Sequence, residues 1–507
     1  MYYFLTHIIN DKLAGLEIAI INRLKIFKEM NVPAKIVTFH FNRLHHENMK
    51  RWGIEDTDMI NMFDFFQNAV VLPKNFKMQN NMEQLKNFIA DEYQNTLRLE
   101  ESNNELIYFD KTQQKRVRAI RQGKNREYLS EIEWFDQRDN LLRRDGFDTR
   151  GFLSITTFYG QAGGVVQEVM YDIDGKEVIN SYYHETCDGE IRNTALILKN
   201  GNLEMTFSNL DHLTAYFYDQ ISFLGDDKVT FIADRSYLVD GPLFLMKHTV
   251  DKYEFWHNTF TTNYLPDGPL VPVMDNEISS GQLKGYLVPT KTAASDLRKR
   301  LPESIKVYNI PVALNDVMPK VIPLEQRDRN KVILVARIEE QKNIPDALKA
   351  FSIIATSNPA AKLYIYGYIL DQNLNKRLQE QVKALNLEDN IIFKEYTLSK
   401  DEIYRDAQLL IMTSRNEGWG MVINEALTYG VPVVSYNTNY GPSEIIEEAE
   451  DGYIVDFGDY EMLAKKSLEL LSNDGKRSTF SQYGISAMKS FDLNENKLRW
   501  GELLEKL

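Results

Sequence analysis

Two glutamates and two cations carry the chemistry that can be read from this chain. Glu417 and Glu425 lie in RNEGWGMVINEALTYGVPVVSYNTNY (residues 415–440), with seven residues between them and Gly418 and Gly420 just after the first. Arg337 and Lys342 lie about eighty residues earlier, in VILVARIEEQK (residues 332–342). Glycines let a backbone approach a phosphate closely, and a helix N-terminus offers free N–H groups and partial positive charge. Two cations at the mouth of a buried strand suit a diphosphate, offsetting its charge and stabilising it as a leaving group. A carboxylate two turns into a helix cannot touch the same ligand atom as one in the loop before it. It can accept a sugar hydroxyl further along an extended ligand, and a nucleotide-sugar has that length.

The elements that position these groups follow from apolar periodicity. Residues 409–412 read as a short buried strand, and residues 421–429 as a helix with Val422, Ile423, Ala426 and Leu427 at core-facing spacing. Gly430 and Pro432 stop that helix, and residues 431–436 form the next strand. The strand at 332–336 ends in Arg337. This is strand, loop, helix, strand: a turn of an open parallel sheet, where ligands sit beyond the carboxyl ends of the strands.

Composition bounds the function. The 507 residues suffice for two or three domains. A net charge of −14 argues against nucleic acid as a partner and against coating an anionic membrane. The single cysteine, Cys187, excludes an internal disulfide and suits a reducing compartment. No apolar run approaches the ~20 residues that span a bilayer. MYYFLTHIIN reads as a first strand rather than a signal peptide. The expectation is a cytoplasmic protein, with peripheral association at the inner face of the membrane compatible with it. There is no nucleophile elbow, and no metal cluster stands out by ligand spacing, so no metal and no cofactor is expected.

Along the chain, residues 2–9 and 34–38 read as strands flanking a helix whose Ile18, Ile21, Leu24 and Phe27 share one face, with Gly15 permitting the turn. From about 72 to 210 the alternation gives way to strand-like runs with the hairpin dipeptides Asp174-Gly175, Asp188-Gly189 and Asn200-Gly201, which argue a β-meander. Asp172-Ile-Asp174 imitates a metal-binding DxD but is better explained as a turn. Residues 111–126 carry seven basic side chains and no acidic one. They read either as a solvated strand face or as a landing strip for an anionic polymer. Strands resume at 229–234, 253–256 and 285–290, and residues 309–316 read as the crossing into a second α/β unit.

Arg337-x4-Lys342 followed by Glu417-x7-Glu425 resembles the donor site of retaining glycosyltransferases of the GT-B architecture, group 1 or family 4 type, and the resemblance covers the whole chain. Residues 15–37, 60–67 (INMFDFFQ), 150–154 (RGFLS) and 440–446 (YGPSEII) are similar to a bacterial subgroup. That subgroup holds the glycosyltransferases of serine-repeat adhesins and the poly(glycerol-phosphate) α-glucosyltransferases of wall teichoic acid. The resemblance implies an α/β GT-B fold, two Rossmann-like domains facing across a cleft, with the β-rich meander inserted in the N-terminal half. The expected division is 1–71 with 211–315 for the acceptor domain, 72–210 for the insertion, 316–490 for the donor domain, and a 491–507 helix crossing back.

The resemblance further implies that Arg337 and Lys342 bind the diphosphate, Glu417 the donor sugar and Glu425 the ribose. Gly15 would belong to a first glycine loop, and Gly418, Gly420 and Met421 would present amides to the donor. Tyr396 and Thr397 would end the strand facing uracil, and His257 would lie near the donor sugar. Relatives often carry a second histidine three residues on, where this chain has Phe260. The implied activity is retaining transfer of a sugar, GlcNAc favoured over glucose, from its UDP donor to serine or threonine of a serine-rich bacterial surface protein. The alternatives are a poly(glycerol-phosphate) α-glucosyltransferase and a non-catalytic stabilising partner of a transferase. The partners are thus UDP-GlcNAc or UDP-glucose and an anionic polymer or serine-rich protein, with the β-rich insertion as the natural contact for a homo- or hetero-oligomer.

Overall fold

The structure is a computed structural model and describes the chain except residues 78–80, 95, 123–127, 187–188, 202, 225–227 and 317. Cys187, Asp188 of one hairpin dipeptide and the end of the basic stretch lie outside the described residues. The chain forms two units. The first comprises Met1–Asp11, Ala34–Phe231 and Tyr237–Val250; the second comprises Lys12–Pro33, Ile232–Ser236 and Asp251–Leu507.

In the first unit, strand Tyr2–Leu5 pairs in parallel with Ala34–Thr38, and this with Met59–Asn61. The β-rich stretch follows as ten antiparallel strands in simple chain order, from Arg98–Glu101 to Leu203–Phe207. Alternation buries one face. Val117 and Ala119, Leu129 and Ile132, and Leu106 and Tyr108 point to one cluster, closed by Leu85 and Ile89 of helix Asn81–Tyr93. Each such aliphatic side chain is worth about 1.5–3 kcal/mol on burial. The Asp172–Asp174 segment is a hairpin turn. Asp172 Oδ1 accepts the backbone N–H groups of Asp174 (3.0 Å) and Lys176 (2.9 Å), and Gly175 takes φ +81°.

The opposite face of the sheet explains the basic stretch. Arg118 pairs with Glu105 (2.6 Å) and Glu133 (3.4 Å), Arg116 with Asp110, and Arg121 with Glu101. Cross-strand register thus converts a run of cations into a ladder of alternating charge. The landing-strip reading loses its free cations at these three arginines.

Two short sequence motifs meet in the same unit. The Gln67 side-chain amide donates to Ser154 O (2.8 Å), Ser154 Oγ (3.0 Å) and Tyr171 O (2.8 Å). Arg150 pairs with Asp64 (3.0 Å) and Asp148 (2.8 Å), while His46 bridges Asp56 and Asp64, both at 3.0 Å. Residues 60–67 and 150–154 are therefore two halves of one buried polar joint. His45, His46 and Asp64 bring ligand-type atoms within 4.8 Å of one another, but the Arg150 guanidinium already supplies the positive charge on Asp64. Burial pushes the neighbouring His45 imidazole down to about 4.

In the second unit, strands Asp251–Phe255, Leu283–Val288 and Lys306–Asn309 are parallel neighbours. A separate six-stranded parallel sheet runs Ile391–Lys394, Lys362–Tyr366, Lys331–Val335, Leu409–Met412, Val433–Tyr436, Gly452–Val455. Numbered along the chain this is order 3-2-1-4-5-6, the doubly wound arrangement, with its reversal between Lys331–Val335 and Leu409–Met412. Both faces are apolar, as a covered parallel sheet requires. Val332, Leu334, Leu409 and Ile411 enter one core and Ile333, Leu410 and Met412 the other. The C-terminal helix Leu493–Leu504 lies on helix Gly15–Glu29 through Trp500 and Phe27 (centroids 5.0 Å apart), and the Tyr253 hydroxyl donates to Leu507 O (3.3 Å). Among the described residues no helix is long and apolar enough to cross a membrane.

Candidate active site

The loops after the two strands at the reversal point are zipped together. Arg415 N–H donates to Gln341 O (2.8 Å), the Gln341 amide to Asn416 O (3.0 Å), and Thr413 Oγ1 to Asn343 O (3.0 Å). This places Lys342 Nζ on Glu417 Oε1 at 2.7 Å, with both side chains largely buried at 16% and 12% exposure. Arg337 sits beside it against Glu339 (2.8 Å), a third of its side chain open. Gly367 is required at the next strand end. Its φ is +153°, and a Cβ there would fall 2.0 Å from Ala336 O, directly before Arg337.

After Glu417 the chain passes so close to a second segment that Gly418 has no space for a side chain. An added Cβ would sit 1.8 Å from His257 O. Gly420 then adopts φ +94° and opens helix Met421–Thr428. Glu425 falls in the second turn, where it accepts the Tyr404 hydroxyl (2.8 Å) and meets Lys400 Nζ (3.0 Å). Burial, then the Glu425 charge, push the Tyr404 phenol well above its ordinary value, so it is always a donor. Further clasps hold this loop. Asn416 Nδ2 donates to Asn258 Oδ1 (2.7 Å), Tyr440 stacks on Phe260 (5.5 Å), and Glu444 accepts both N–H (2.8 Å) and Oγ1 (2.6 Å) of Thr292 at the start of helix Lys291–Arg298. The YGPSEII motif is this clasp.

His257 is equally constrained. Its Nε2 lies 2.7 Å from Asp234 Oδ1, and its ring stacks on Phe255 at 4.4 Å and 10°. Asp234 is fully buried and also accepts from Arg23. The next residue, Arg235, pairs with Glu17, whose other oxygen accepts Ala14 N–H (2.9 Å) and so caps helix Gly15–Glu29. At the far end, the Tyr396 hydroxyl accepts Leu13 N–H at 3.1 Å.

Every residue expected in the donor site lines one cavity of about 510 Å³: Gly15, His257, Arg337, Lys342, Tyr396, Thr397, Glu417, Gly418, Gly420, Met421 and Glu425. That volume lies within the range of cofactor-sized sites. Its lining combines apolar Leu334, Ile403, Ile411 and Met412 with the charged Arg337, Lys342, Glu417 and Glu425. Residues 320–487 match the model of glycosyl transferases group 1, and residues 96–188 that of the GtfB middle domain. The poly(ribitol-phosphate) alpha-N-acetylglucosaminyltransferase of Staphylococcus aureus is 25% identical over 93% of this chain and 92% of its own length. The poly(glycerol-phosphate) alpha-glucosyltransferase of Bacillus subtilis is 22% identical over 100% of this chain and 75% of its own. The pneumococcal O-GlcNAc transferase GtfA, solved with UDP and GlcNAc, superposes with a TM-score of 0.83 over 100% of this chain and 98% of that one, at 18% identity. Residues 320–487 are a group 1 glycosyltransferase domain, and the chain has the GT-B fold.

For this glycosyltransferase the structure revises one expectation, extends another and adds three side chains. Gly15 is the first residue of a regular helix, and a Cβ there would meet only Met421 Cγ at 3.8 Å, so no turn demands glycine. Gly418 has a steric reason to be glycine besides the expected one, because a Cβ there would strike the His257 carbonyl. Arg235, Tyr368 and Lys400 also line the cavity of the transferase. Arg235 directly follows a predicted strand and was legible as a strand-end cation. Lys400 reaches Glu425 from the separate short helix Lys400–Tyr404, and no local sequence pattern announces that pairing.

Proposed function

We propose that this protein transfers N-acetylglucosamine, with retention, from UDP-GlcNAc to a hydroxyl of a repetitive bacterial surface polymer. The observation that carries the reading is that Arg337, Lys342, Glu417 and Glu425 share one cavity against the N-terminus of helix Met421–Thr428. Arg337 and Lys342 would compensate the charge growing on the departing diphosphate, assisted by the amides at 418–421. Glu425, held by Tyr404 and Lys400, would take the ribose hydroxyls, and Glu417, held by Lys342, those of the sugar. His257, fixed by Asp234, would bound the sugar from the other side. UDP is a good leaving group, so no strong general acid is needed, and two fixed cations supply what a metal supplies to other transferases. Retention is consistent with front-face attack, in which the departing phosphate accepts the acceptor's proton. Such a nucleotide-sugar enzyme belongs in the cytoplasm.

Serine or threonine of a serine-rich surface protein is the first acceptor reading. The polyol phosphate of wall teichoic acid is the second, favoured by the S. aureus and B. subtilis relatives. UDP release from UDP-GlcNAc and UDP-glucose, each with a serine-rich peptide or a polyol-phosphate chain, tests donor and acceptor together. Release stimulated by the peptide with UDP-GlcNAc supports the first reading, and stimulation by the polyol phosphate alone moves the acceptor to the second. Activity abolished by a metal chelator would refute the metal-independent scheme. No stimulation by any combination would refute the transferase reading.

A further inference from the structure

Resting on the donor site proposed above, we propose that Tyr396 is a positioning residue whose hydroxyl ties the loop at Leu13 and Ala14 to the nucleotide end of the cavity, so that donor binding and loop placement are coupled. The geometry is specific. The phenol oxygen accepts Leu13 N–H at 3.1 Å and lies 3.4 Å from Leu13 O, to which it donates. One hydroxyl therefore serves both backbone groups of a single residue. Burial pushes this phenol above its ordinary value, which keeps the proton it donates.

The neighbours make the tie part of a built wall. Tyr368 packs edge-on against Tyr396 (5.7 Å, 72°), and Lys12 Nζ lies 5.8 Å over the Tyr368 ring. Ala14 N–H goes to Glu17. Lys12, Leu13 and Ala14 are thus each held by a different partner. Leu13, Ala14, Gly15, Tyr368 and Tyr396 all line the cavity. A ring that a base would contact is thereby bonded, through its far end, to the loop that opens helix Gly15–Glu29. A ligand that orders Tyr396 must order the loop as well, because the hydroxyl cannot shift without breaking its bonds to Leu13.

Tyr396→Phe removes both bonds and leaves the ring. Losing one hydrogen bond corresponds to about fivefold in an equilibrium. The expected result is a kcat for transfer lowered between about fivefold and about 25-fold, for one to two such bonds, with UDP affinity changed less than about threefold. Hydrogen exchange reads the tie directly, since the Leu13 amide is the donor. Its exchange is expected to slow when UDP is added to the wild type, to be faster in Y396F without ligand, and to respond to UDP only weakly there. Unchanged kcat and unchanged Leu13 exchange in Y396F would overturn the proposal. So would weaker UDP binding with both of those intact, which would make the hydroxyl a simple nucleotide contact. If Y396F fails to fold, the wild type still decides: Leu13 exchange insensitive to UDP overturns the coupling. A wild type that binds UDP but transfers from no donor would sink the transferase reading instead, and the exchange result would stand apart from it.

Discussion

Gly418→Ala gives the sharpest test of the site's construction. Where backbone φ is ordinary, replacing glycine by alanine usually stabilises by about 0.4–1 kcal/mol, through the unfolded chain. Gly418 lies outside the left-handed region, so backbone alone predicts that gain. Space predicts the reverse. The new methyl would fall 1.8 Å from His257 O, 2.4 Å from its carbonyl carbon and 3.0 Å from Asn258 N. Alanine has no rotamer to escape into, and the obstacle is backbone. Restoring an ordinary contact needs the two segments to part by roughly 1.5 Å, and overpacking of that kind costs about 1–3 kcal/mol. The melting temperature should fall by about 2–8 °C. Glu417 and the amides at 418–421 sit on the displaced loop, and a misplacement of about 1 Å can cost about a hundredfold in rate. Steady-state UDP release and a thermal melt measure both effects. A variant with kcat/KM within threefold of wild type and an unchanged melt would refute the reasoning, because Gly418 and the His257 carbonyl could not then be in contact.

Three further outcomes follow from the same geometry. Glu425→Gln keeps an acceptor for Tyr404 but loses the charge; UDP affinity by calorimetry should drop about tenfold, and an unchanged affinity would remove Glu425 from the ribose role. Asp451 is fully buried, and burial raises its carboxyl to about 7. The folded state therefore holds a proton that the unfolded chain, at about 3.9, has released, so stability falls as pH rises through 7, by about 1.4 kcal/mol between pH 6 and 8. Melts across that range should show the slope and Asp451→Asn should flatten it; identical slopes would refute the assignment. Arg150→Met leaves Asp64 buried without its guanidinium, and denaturant unfolding should show a loss of about 3 kcal/mol; a loss under 1 kcal/mol would mean that the 60–67 and 150–154 motifs are not joined by this pair.

What was legible in the sequence tracks how locally each feature is specified. Glu417, Glu425, Arg337 and Lys342 could be placed because one strand-loop-helix run fixes a residue's position relative to the strand end. A β-meander was legible because a hairpin dipeptide such as Asp174-Gly175 announces its turn locally, whereas the number of strands was not. Lys400 and Tyr404 were not, since their relation to Glu425 exists only after separate segments pack. The same limit hid the meaning of INMFDFFQ and RGFLS, which are complementary halves of one joint, and of the basic stretch, whose partners arrive by cross-strand register. Gly15 drew notice as a glycine, yet the backbone it occupies would suit alanine.

The bond between Leu13 and Tyr396 spans 383 positions of chain. Closing so long a loop is slow, and contacts of this separation form after the local ones. Leu13 leaves the ribosome well before Tyr396 and Glu425 do. The cavity therefore cannot exist on a nascent chain that has not reached residue 425, however well its earlier parts have folded. Nucleotide retention during synthesis would report assembly of the cavity, and fragments ending before Tyr396 should pass through a UDP column unretained.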